Sequence, residues 1–266
     1  MIPYLHFEDI MFGPITLHVW GVMVSFGIII GLVLANYLIK KNNLNQTIIF
    51  DNVFYLFLGA FVGARLFHVF LYEPRYYLDH PADIIKIWQG GLSSIGGFFG
   101  AAIAFFILNR FKKWTFKILL PYLDIFALSL WLGWGIGRIG CFLTHLHPGA
   151  LTNFFLGVKY PDGTRFDLGL IDSFVGFSIF AVFAVFFKRF FKKKNGFLAA
   201  YSAATYFFIR FFIDFLRVTP EEYLGGDRRF GFLTPAQWSI LLAFLILFFW
   251  LIYKKIKRQT LKISNK

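Results

Sequence analysis

Three arginines lie inside apolar stretches of the sequence, at Arg65, Arg138 and Arg210. An unpaired charge in the middle of a membrane helix costs at least about 2.5 kcal/mol, so each of these side chains needs a partner or water. A guanidinium group is planar and permanently charged, and it can form two parallel hydrogen bonds with a phosphate. Arginines converging from separate segments therefore favour an anionic ligand, and a phospholipid head group is the anion expected at that depth.

Arg210, Asp214 and Arg217 form a plus, minus, plus series along one stretch of sequence. Spacings of four and three residues place these side chains on the same face of a helix. The series is compatible with a site that binds an anion, and equally with an internal salt bridge that holds helices together. Both interpretations remain open for the Arg210 and Asp214 pair.

Glycines accompany the arginines in two places. One group opens the third apolar segment after an interfacial tryptophan, and the other flanks Arg138: Gly90, Gly91, Ser93, Gly96 and Gly97, then Gly137 and Gly140. Such residues can expose backbone N–H groups to an anion at a helix start. They can also simply allow two helices to pack closely, and the sequence leaves both possibilities open.

His145 and His147 lie just beyond Cys141, the single cysteine. A histidine with an ordinary pKa near 6.5 can accept a proton near neutral pH, although a histidine at a membrane interface is often only solvated. The spacing of these three residues lacks a fourth ligand and a known metal-binding pattern, so we predict no metal site and no cofactor. Cys141 is interpreted as a small packing residue.

The composition is that of a membrane protein. Of the 266 residues, 58% are hydrophobic, 15% are charged and 39 are phenylalanine, more apolar surface than a soluble core of this size can bury. The net charge of +13 does not indicate nucleic-acid binding, because the basic residues cluster at the ends of apolar runs. The acidic leader before the first run does not resemble a cleavable signal peptide.

Seven apolar segments are close to the length that a membrane-spanning helix needs. They lie near 17–39, 50–72, 92–109, 119–143, 170–187, 196–216 and 237–253, and a basic cluster follows each odd-numbered one. The positive-inside rule then places the N-terminus outside and the C-terminus in the cytoplasm. We predict an all-α membrane protein, a bundle of seven transmembrane helices forming one domain over 1–266, with an extracytoplasmic loop or small head at 144–169 and a basic cytoplasmic tail at 254–266.

Over nearly its whole length the chain resembles the prolipoprotein diacylglyceryl transferase family. The signature Gly-Arg-x-Gly-Asn-Phe-x-Asn-x-Glu-x-x-Gly is matched in register by Gly137, Arg138, Gly140, Phe142 and Gly149. Further elements of the family are similar to Gly63 to Arg65, to the loop 88–97, to 209–217, and to Thr234 to Gln237.

The resemblance implies transfer of the diacylglyceryl group of phosphatidylglycerol to the lipobox cysteine of a preprolipoprotein, with release of glycerol phosphate. It also implies a multi-pass protein of the bacterial inner membrane, which we expect to be a monomer. Arg138 and Arg210 would hold the lipid phosphate, with Asp214 beside them. Arg65 and Arg217 would support them, together with the two glycine groups and Ser93.

The chain departs from the family at the positions that the family uses for proton transfer. Ile95 replaces the loop histidine, Cys141 and Thr144 replace the two signature asparagines, and Leu146 replaces the signature glutamate. Asp214 and Asp172 stand where glutamate is usual. His145 or His147, on either side of Leu146, would then accept the proton. The alternative is a catalytically retired relative, or a transporter, that binds an anionic lipid or small anion without chemistry.

Overall fold

A computed structural model describes residues 1–7, 9–12, 15–71, 73–86, 91, 94–112, 116–191, 196–219, 222, 229–234, 236–242 and 244–245. The described chain is mostly helical. Its α-helices are α1 (Val19–Lys41), α2 (Thr47–Leu71), α3 (Pro74–Asp79), α4 (Ser94–Lys112), α5 (Phe116–Leu143), α6 (Leu168–Phe191) and α7 (Phe197–Ile213). Short 3-10 turns follow α3 at Pro81–Ile85 and α7 at Asp214–Leu216.

The long helices lie where the hydropathy pattern places them, to within a few residues. Residues 236–242 and 244–245 are also helical, whereas the rest of the seventh predicted segment and the basic tail 254–266 lie outside the described residues. Within the described part of the chain, five helices are long and apolar enough to cross a membrane: Val19–Lys41, Asn52–Phe70, Lys117–Leu143, Leu168–Phe191 and Phe197–Leu216. The protein is therefore a multi-pass membrane protein with mostly helical architecture.

Large apolar side chains cover the outside of these helices. Phe106, Phe174 and Val185 are each more than 70% exposed, which would be unfavourable in water but is favourable against lipid. Among the described residues, part of the phenylalanine excess noted in the composition thus lies on helix surfaces that the hydrocarbon core can cover.

Two small antiparallel sheets complete the described structure. The first is a hairpin of β1 (Ile10–Phe12) and β2 (Ile15–Leu17) ahead of α1. The second comprises β3 (Pro148–Leu151), β4 (Val158–Tyr160) and β5 (Gly163–Asp167), with β5 in the centre. This second sheet occupies most of the segment 144–169 between α5 and α6.

The chain divides into two compact units, one formed by 1–35 and 123–266 and the other by 36–122. In the smaller unit α2 packs on α4 through glycines. A Cβ atom on Gly63 would lie 2.6 Å from the Cα of Gly100, and one on Gly96 would lie 2.5 Å from the Gly63 carbonyl oxygen. Such glycine-to-glycine packing lets two membrane helices approach at backbone distance, which increases van der Waals contact.

In the larger unit a buried carboxylate on α5 anchors the start of α7. Asp124 has no exposed surface, and its two carboxylate oxygens accept hydrogen bonds from the Gly196 and Ala199 N–H groups at 2.8 and 2.9 Å. The first N–H groups of a helix lack partners within the helix, and a negative charge there also interacts favourably with the helix dipole. Asp124 thereby fixes where α7 begins.

Candidate functional site: an arginine–carboxylate cluster

The centre of the site is Asp172, on α6 of the larger unit. Its Oδ2 atom lies 2.5 Å from Nη1 of Arg210 on α7 and 3.0 Å from Nη2 of Arg138 on α5. The carboxylate side chain is only 1% exposed, so both ion pairs lie in a largely dehydrated environment. Two of the arginines singled out in the sequence therefore converge on one oxygen atom from different helices.

A second buried carboxylate continues the cluster toward the end of α7. Asp214 accepts hydrogen bonds from Nε of Arg210 at 3.0 Å and Nε of Arg217 at 2.9 Å, so the plus, minus, plus series is a contiguous ion network. We call Arg138, Asp172, Arg210, Asp214 and Arg217 the arginine–carboxylate cluster. Its three guanidinium groups and two carboxylates leave one positive charge in excess, which suits a singly charged phosphodiester.

A capping arrangement holds Asp214 from the other side. Thr234 donates its hydroxyl hydrogen to Oδ2 of Asp214 at 2.8 Å. The Thr234 N–H donates to Oε1 of Gln237 at 2.9 Å, and the Gln237 N–H donates to the Thr234 hydroxyl at 3.2 Å. This reciprocal pair is a capping box, so the Thr-x-x-Gln motif both starts the following helix and positions a member of the cluster.

The cluster retains polar atoms that have no hydrogen-bond partner among the described residues. They include Nε of Arg138, Oδ1 of Asp172 and the indole nitrogen of Trp134, all buried. The Arg138 guanidinium lies 4.7 Å from the Trp134 ring centroid, and its Nη1 lies 3.5 Å from Sγ of Cys141. Because an unsatisfied buried polar group typically costs about 1–3 kcal/mol, the two donors in this set, Nε of Arg138 and the indole nitrogen of Trp134, favour binding of a ligand with acceptor oxygens.

A second group of polar residues surrounds His145, just after α5. Nδ1 of His145 lies 2.8 Å from Oδ2 of Asp167, the same oxygen that accepts the Tyr160 hydroxyl at 2.7 Å. The other oxygen of Asp167 accepts the Leu170 N–H at 2.9 Å and so caps α6. His145 and Asp167 are 3% and 0% exposed, and Nε2 of His145 is buried with no partner among the described residues.

His147 has a different environment from His145. It is half-buried, and its carbonyl oxygen accepts the Leu168 N–H at 3.1 Å where β5 leads into α6. Asp167, which is not among the site residues predicted from the sequence, is the carboxylate that contacts His145. An aspartate immediately before an apolar run is a helix-start signal, but its histidine partner lies 22 residues away and no spacing rule connects them.

Arg65 lies in the smaller unit, where its guanidinium group donates to backbone carbonyls. Nε donates to the Ile84 oxygen at 2.8 Å, Nη2 to the Asp83 oxygen at 2.6 Å and Nη1 to the Gly91 oxygen at 3.0 Å. These contacts give Arg65 a structural role in holding the chain after α3. A role for Arg65 in lipid binding stays a prediction.

The glycines proposed as substrate contacts mostly lie at helix contacts. Gly96 and Gly97 face α2, and a Cβ on Gly97 would lie 3.6 Å from the Ala60 oxygen. A Cβ on Gly140 would lie 2.8 Å from Cβ of Met23, and one on Gly137 would lie 3.5 Å from Val24. These positions favour the packing interpretation. Gly91 has a positive φ of 75°, whereas Gly90 and Ser93 lie outside the described residues.

The sheet between α5 and α6 is held by an ion pair at its tip. Arg165 donates to Asp162 from Nη2 at 2.7 Å and to the Gly149 oxygen from Nη1 at 3.0 Å. The Arg165 guanidinium holds the pKa of the Asp162 carboxyl below its ordinary value. Within the described ranges no three His, Cys, Asp or Glu side chains have the arrangement that a metal ion requires.

Comparison with known proteins identifies the relatives of this chain. The sequence model of the family described as prolipoprotein diacylglyceryl transferase matches residues 9–253. A phosphatidylglycerol–prolipoprotein diacylglyceryl transferase of Chloroherpeton thalassium is 31% identical over 95% of this chain and 93% of its own length. An enzyme of the same name from Finegoldia magna is 32% identical over 93% of this chain and 94% of its own length. Another, from Tolumonas auensis, is 30% identical over 86% of this chain and 88% of its own length.

Proposed function

Because the chain belongs to the prolipoprotein diacylglyceryl transferase family, we propose that the arginine–carboxylate cluster is where it handles phosphatidylglycerol. The protein is a transferase that moves the diacylglyceryl group of phosphatidylglycerol to the thiol of a prolipoprotein's lipobox cysteine and releases glycerol phosphate. This assignment accounts for an otherwise costly feature, a concentration of arginines inside apolar helices.

The observation that carries the site assignment is the convergence of Arg138 and Arg210 on Asp172. A carboxylate oxygen and a phosphate oxygen present similar acceptors to a guanidinium group, so Asp172 keeps both arginines at the spacing that one anionic oxygen requires. Asp214 pairs with Nε of Arg210 and is itself paired with Arg217, which fixes the orientation of the Arg210 side chain. Such preorganisation avoids the cost of gathering the donors when the lipid arrives.

The reaction requires stabilisation of the negative charge on the departing phosphate group. The thiolate sulfur attacks the glyceryl carbon next to the phosphate ester, a carbon–sulfur bond forms, and the carbon–oxygen bond breaks with its electron pair on the phosphate oxygen. Arg138 and Arg210 stabilise the charge that grows there. A base must also take the thiol proton, because the thiolate is the nucleophile. His145 and His147 are the candidates on the C-terminal side of α5.

For the membrane arrangement we propose seven spans in the bacterial inner membrane. α4 supplies a sixth span in addition to the five long apolar helices, and the segment 237–253 supplies the seventh. The basic clusters after the odd-numbered segments support an outside N-terminus and a cytoplasmic C-terminal tail at 254–266. The sheet between α5 and α6 then forms a small extracytoplasmic head, on the side where secreted prolipoproteins emerge. We propose that the protein acts as a monomer.

The proposal is tested with purified protein in phosphatidylglycerol vesicles and a lipobox peptide. Mass spectrometry is expected to detect the diacylglyceryl thioether on the peptide cysteine. Replacing Arg138 with Ala should lower kcat/KM by about 10²-fold to 10³-fold, the usual effect of removing one preorganised donor to a developing oxyanion. Arg75→Ala is the matched control, because Arg75 is an exposed arginine of α3 outside the cluster.

The outcomes separate catalysis from binding alone. A thioether that depends on Arg138 and not on Arg75 supports the proposal. Absence of a thioether from folded protein that still binds phosphatidylglycerol vesicles would instead support a retired relative that only binds anionic lipid. Equal turnover of wild type and Arg138→Ala would remove the cluster from the mechanism.

A further inference from the structure

We propose that Asp167 is a positioning residue that makes His145 the general base of the transfer. The inference rests on the proposed function and deepens it. It concerns the proton acceptor, whose family positions are occupied here by Ile95 and Leu146. Neither of those side chains can accept a proton.

The hydrogen bonds around Asp167 fix which nitrogen of His145 is available. Oδ2 of Asp167 lies 2.8 Å from Nδ1 of the ring, and a carboxylate at that nitrogen requires the proton to be on Nδ1. The neutral ring then has its lone pair on Nε2. Nε2 is the buried nitrogen that has no partner among the described residues. The pair therefore has the arrangement of a base with an orienting carboxylate.

Two further donors hold the carboxylate of Asp167. Tyr160 donates its hydroxyl hydrogen to Oδ2 at 2.7 Å, and the Leu170 N–H donates to Oδ1 at 2.9 Å. With the ring, three donors surround one buried acceptor group, which holds the carboxylate in one orientation. Among the described residues, the titratable groups that face His145 are Asp167, Tyr160, Tyr4 and His6, the last two on the N-terminal segment.

The backbone and ring of His145 are both constrained. Its φ is +47°, a left-handed conformation that is uncommon for a residue other than glycine and that often marks functional positions. Tyr4 stacks on the ring at 4.1 Å between centroids, and Tyr160 contacts it edge-on at 4.9 Å. Nε2 is thus held in one place.

The position of His145 along the chain suits transfer at the arginine–carboxylate cluster. Arg138 and Cys141 lie in the last turns of α5, which ends at Leu143, and His145 follows two residues later in a turn before β3. The attacked carbon and the substrate thiol must both fit between the phosphate and the base. Direct contact between His145 and Arg138 would leave no room for them, so the proposal requires the two side chains to lie on either side of the reacting atoms.

The proton and electron balance is complete without a co-reactant. Nε2 takes the thiol proton as the sulfur–carbon bond forms. The phosphate oxygen leaves with the electron pair of the carbon–oxygen bond. The imidazolium then returns its proton to water or to the released glycerol phosphate, and the neutral ring is restored for the next turnover.

The test compares Asp167→Asn and His145→Gln with wild type in the vesicle and peptide assay. Asparagine keeps an oxygen for the Leu170 N–H and is a good helix cap, but its amide can donate to Nδ1 and so favours the wrong tautomer. We expect kcat to fall by about 10²-fold or more in both variants, with little change in KM for the peptide. His145→Gln should also lose the acid limb of the wild-type pH–rate profile.

Asp9→Asn is the matched control. Asp9 forms the same type of pair with His18, 2.6 Å apart, and its other oxygen accepts the Val19 N–H, but this pair is exposed and outside the site. We expect unchanged turnover in Asp9→Asn, and thermal unfolding of all variants is compared to detect loss of fold.

The results of this test distinguish the role of Asp167 and His145 from the transferase activity itself. A thioether from wild type with loss of kcat in both variants and a normal Asp9→Asn supports the inference. Full turnover of His145→Gln, or an Asp167→Asn defect that His145→Gln does not share, would overturn it while the proposed function stands. A wild type that forms no thioether overturns the proposed function, and the inference falls with it.

Discussion

Replacing Asp172 with Asn isolates the contribution of the shared carboxylate to the fold. The substitution keeps the size of a side chain that is 1% exposed and removes its charge. Arg210 retains Asp214 as an ion-pair partner at 3.0 Å. Arg138 loses the one carboxylate with which it forms an ion pair in the described part of the chain, and it is 15% exposed. The variant therefore leaves one largely buried guanidinium group without a counter-charge.

Breaking a buried ion pair by removing one partner typically costs about 3–5 kcal/mol. Because Arg210 is still compensated, we expect the lower end of that range, about 3 kcal/mol. For a protein of roughly this size, 1 kcal/mol lowers Tm by about 2–4 °C, so the expected decrease is about 6–12 °C. Tryptophan fluorescence during heating in detergent measures it.

A double variant tests the physical reason for the decrease. Adding Arg138→Gln to Asp172→Asn removes the uncompensated charge, so Tm should rise above that of Asp172→Asn alone. An exposed pair provides the comparison, since Asp9→Asn should change Tm little. If Asp172→Asn unfolds at the wild-type temperature, the carboxylate does not compensate the arginines, and the reasoning about the cluster is refuted.

Three further predictions concern the surrounding fold. Asp124→Ala leaves two N–H groups at the start of α7 without acceptors, and should lower stability by about 1–3 kcal/mol, seen as a lower Tm with unchanged peptide KM. Gly63→Ala should reduce the yield of folded protein, because the added Cβ would overlap the backbone of α4. Gly97→Ala should not, since the nearest atom to its added Cβ is 3.6 Å away. Size-exclusion profiles of the two variants measure the difference. The lowered pKa of Asp162 beside Arg165 means that this pair stabilises the fold above the ordinary value of 3.8. That contribution is lost as pH falls through the lowered folded-state pKa, and Asp162→Asn should remove this part of the Tm dependence on pH.

The locations of the long helices could be predicted from the sequence because burial in lipid is a property of composition. A run of apolar residues has the same preference for hydrocarbon whatever its neighbours are. For the same reason Arg138 and Arg210 are conspicuous in the sequence alone. A charge in such a run is costly in every arrangement except one that supplies a partner, so each arginine indicated a site by itself.

The Thr-x-x-Gln motif was recognisable for a local reason as well. A capping box joins residues only three positions apart, and its hydrogen bonds depend on the backbone of a single helix start. What the motif did not reveal is that Thr234 also donates to Asp214, 20 residues earlier. That contact depends on how two separate segments pack.

The sequence by itself determined the membrane class, the helix positions and the charged side chains that needed partners. Only the tertiary structure decided which partners they have. Asp172 forms ion pairs with both Arg138 and Arg210. Asp167 contacts His145, and Arg65 donates hydrogen bonds to backbone carbonyls. These pairings join residues that are far apart in the chain, and the distances between them are set by helix packing, in which single glycines decide how closely two backbones approach.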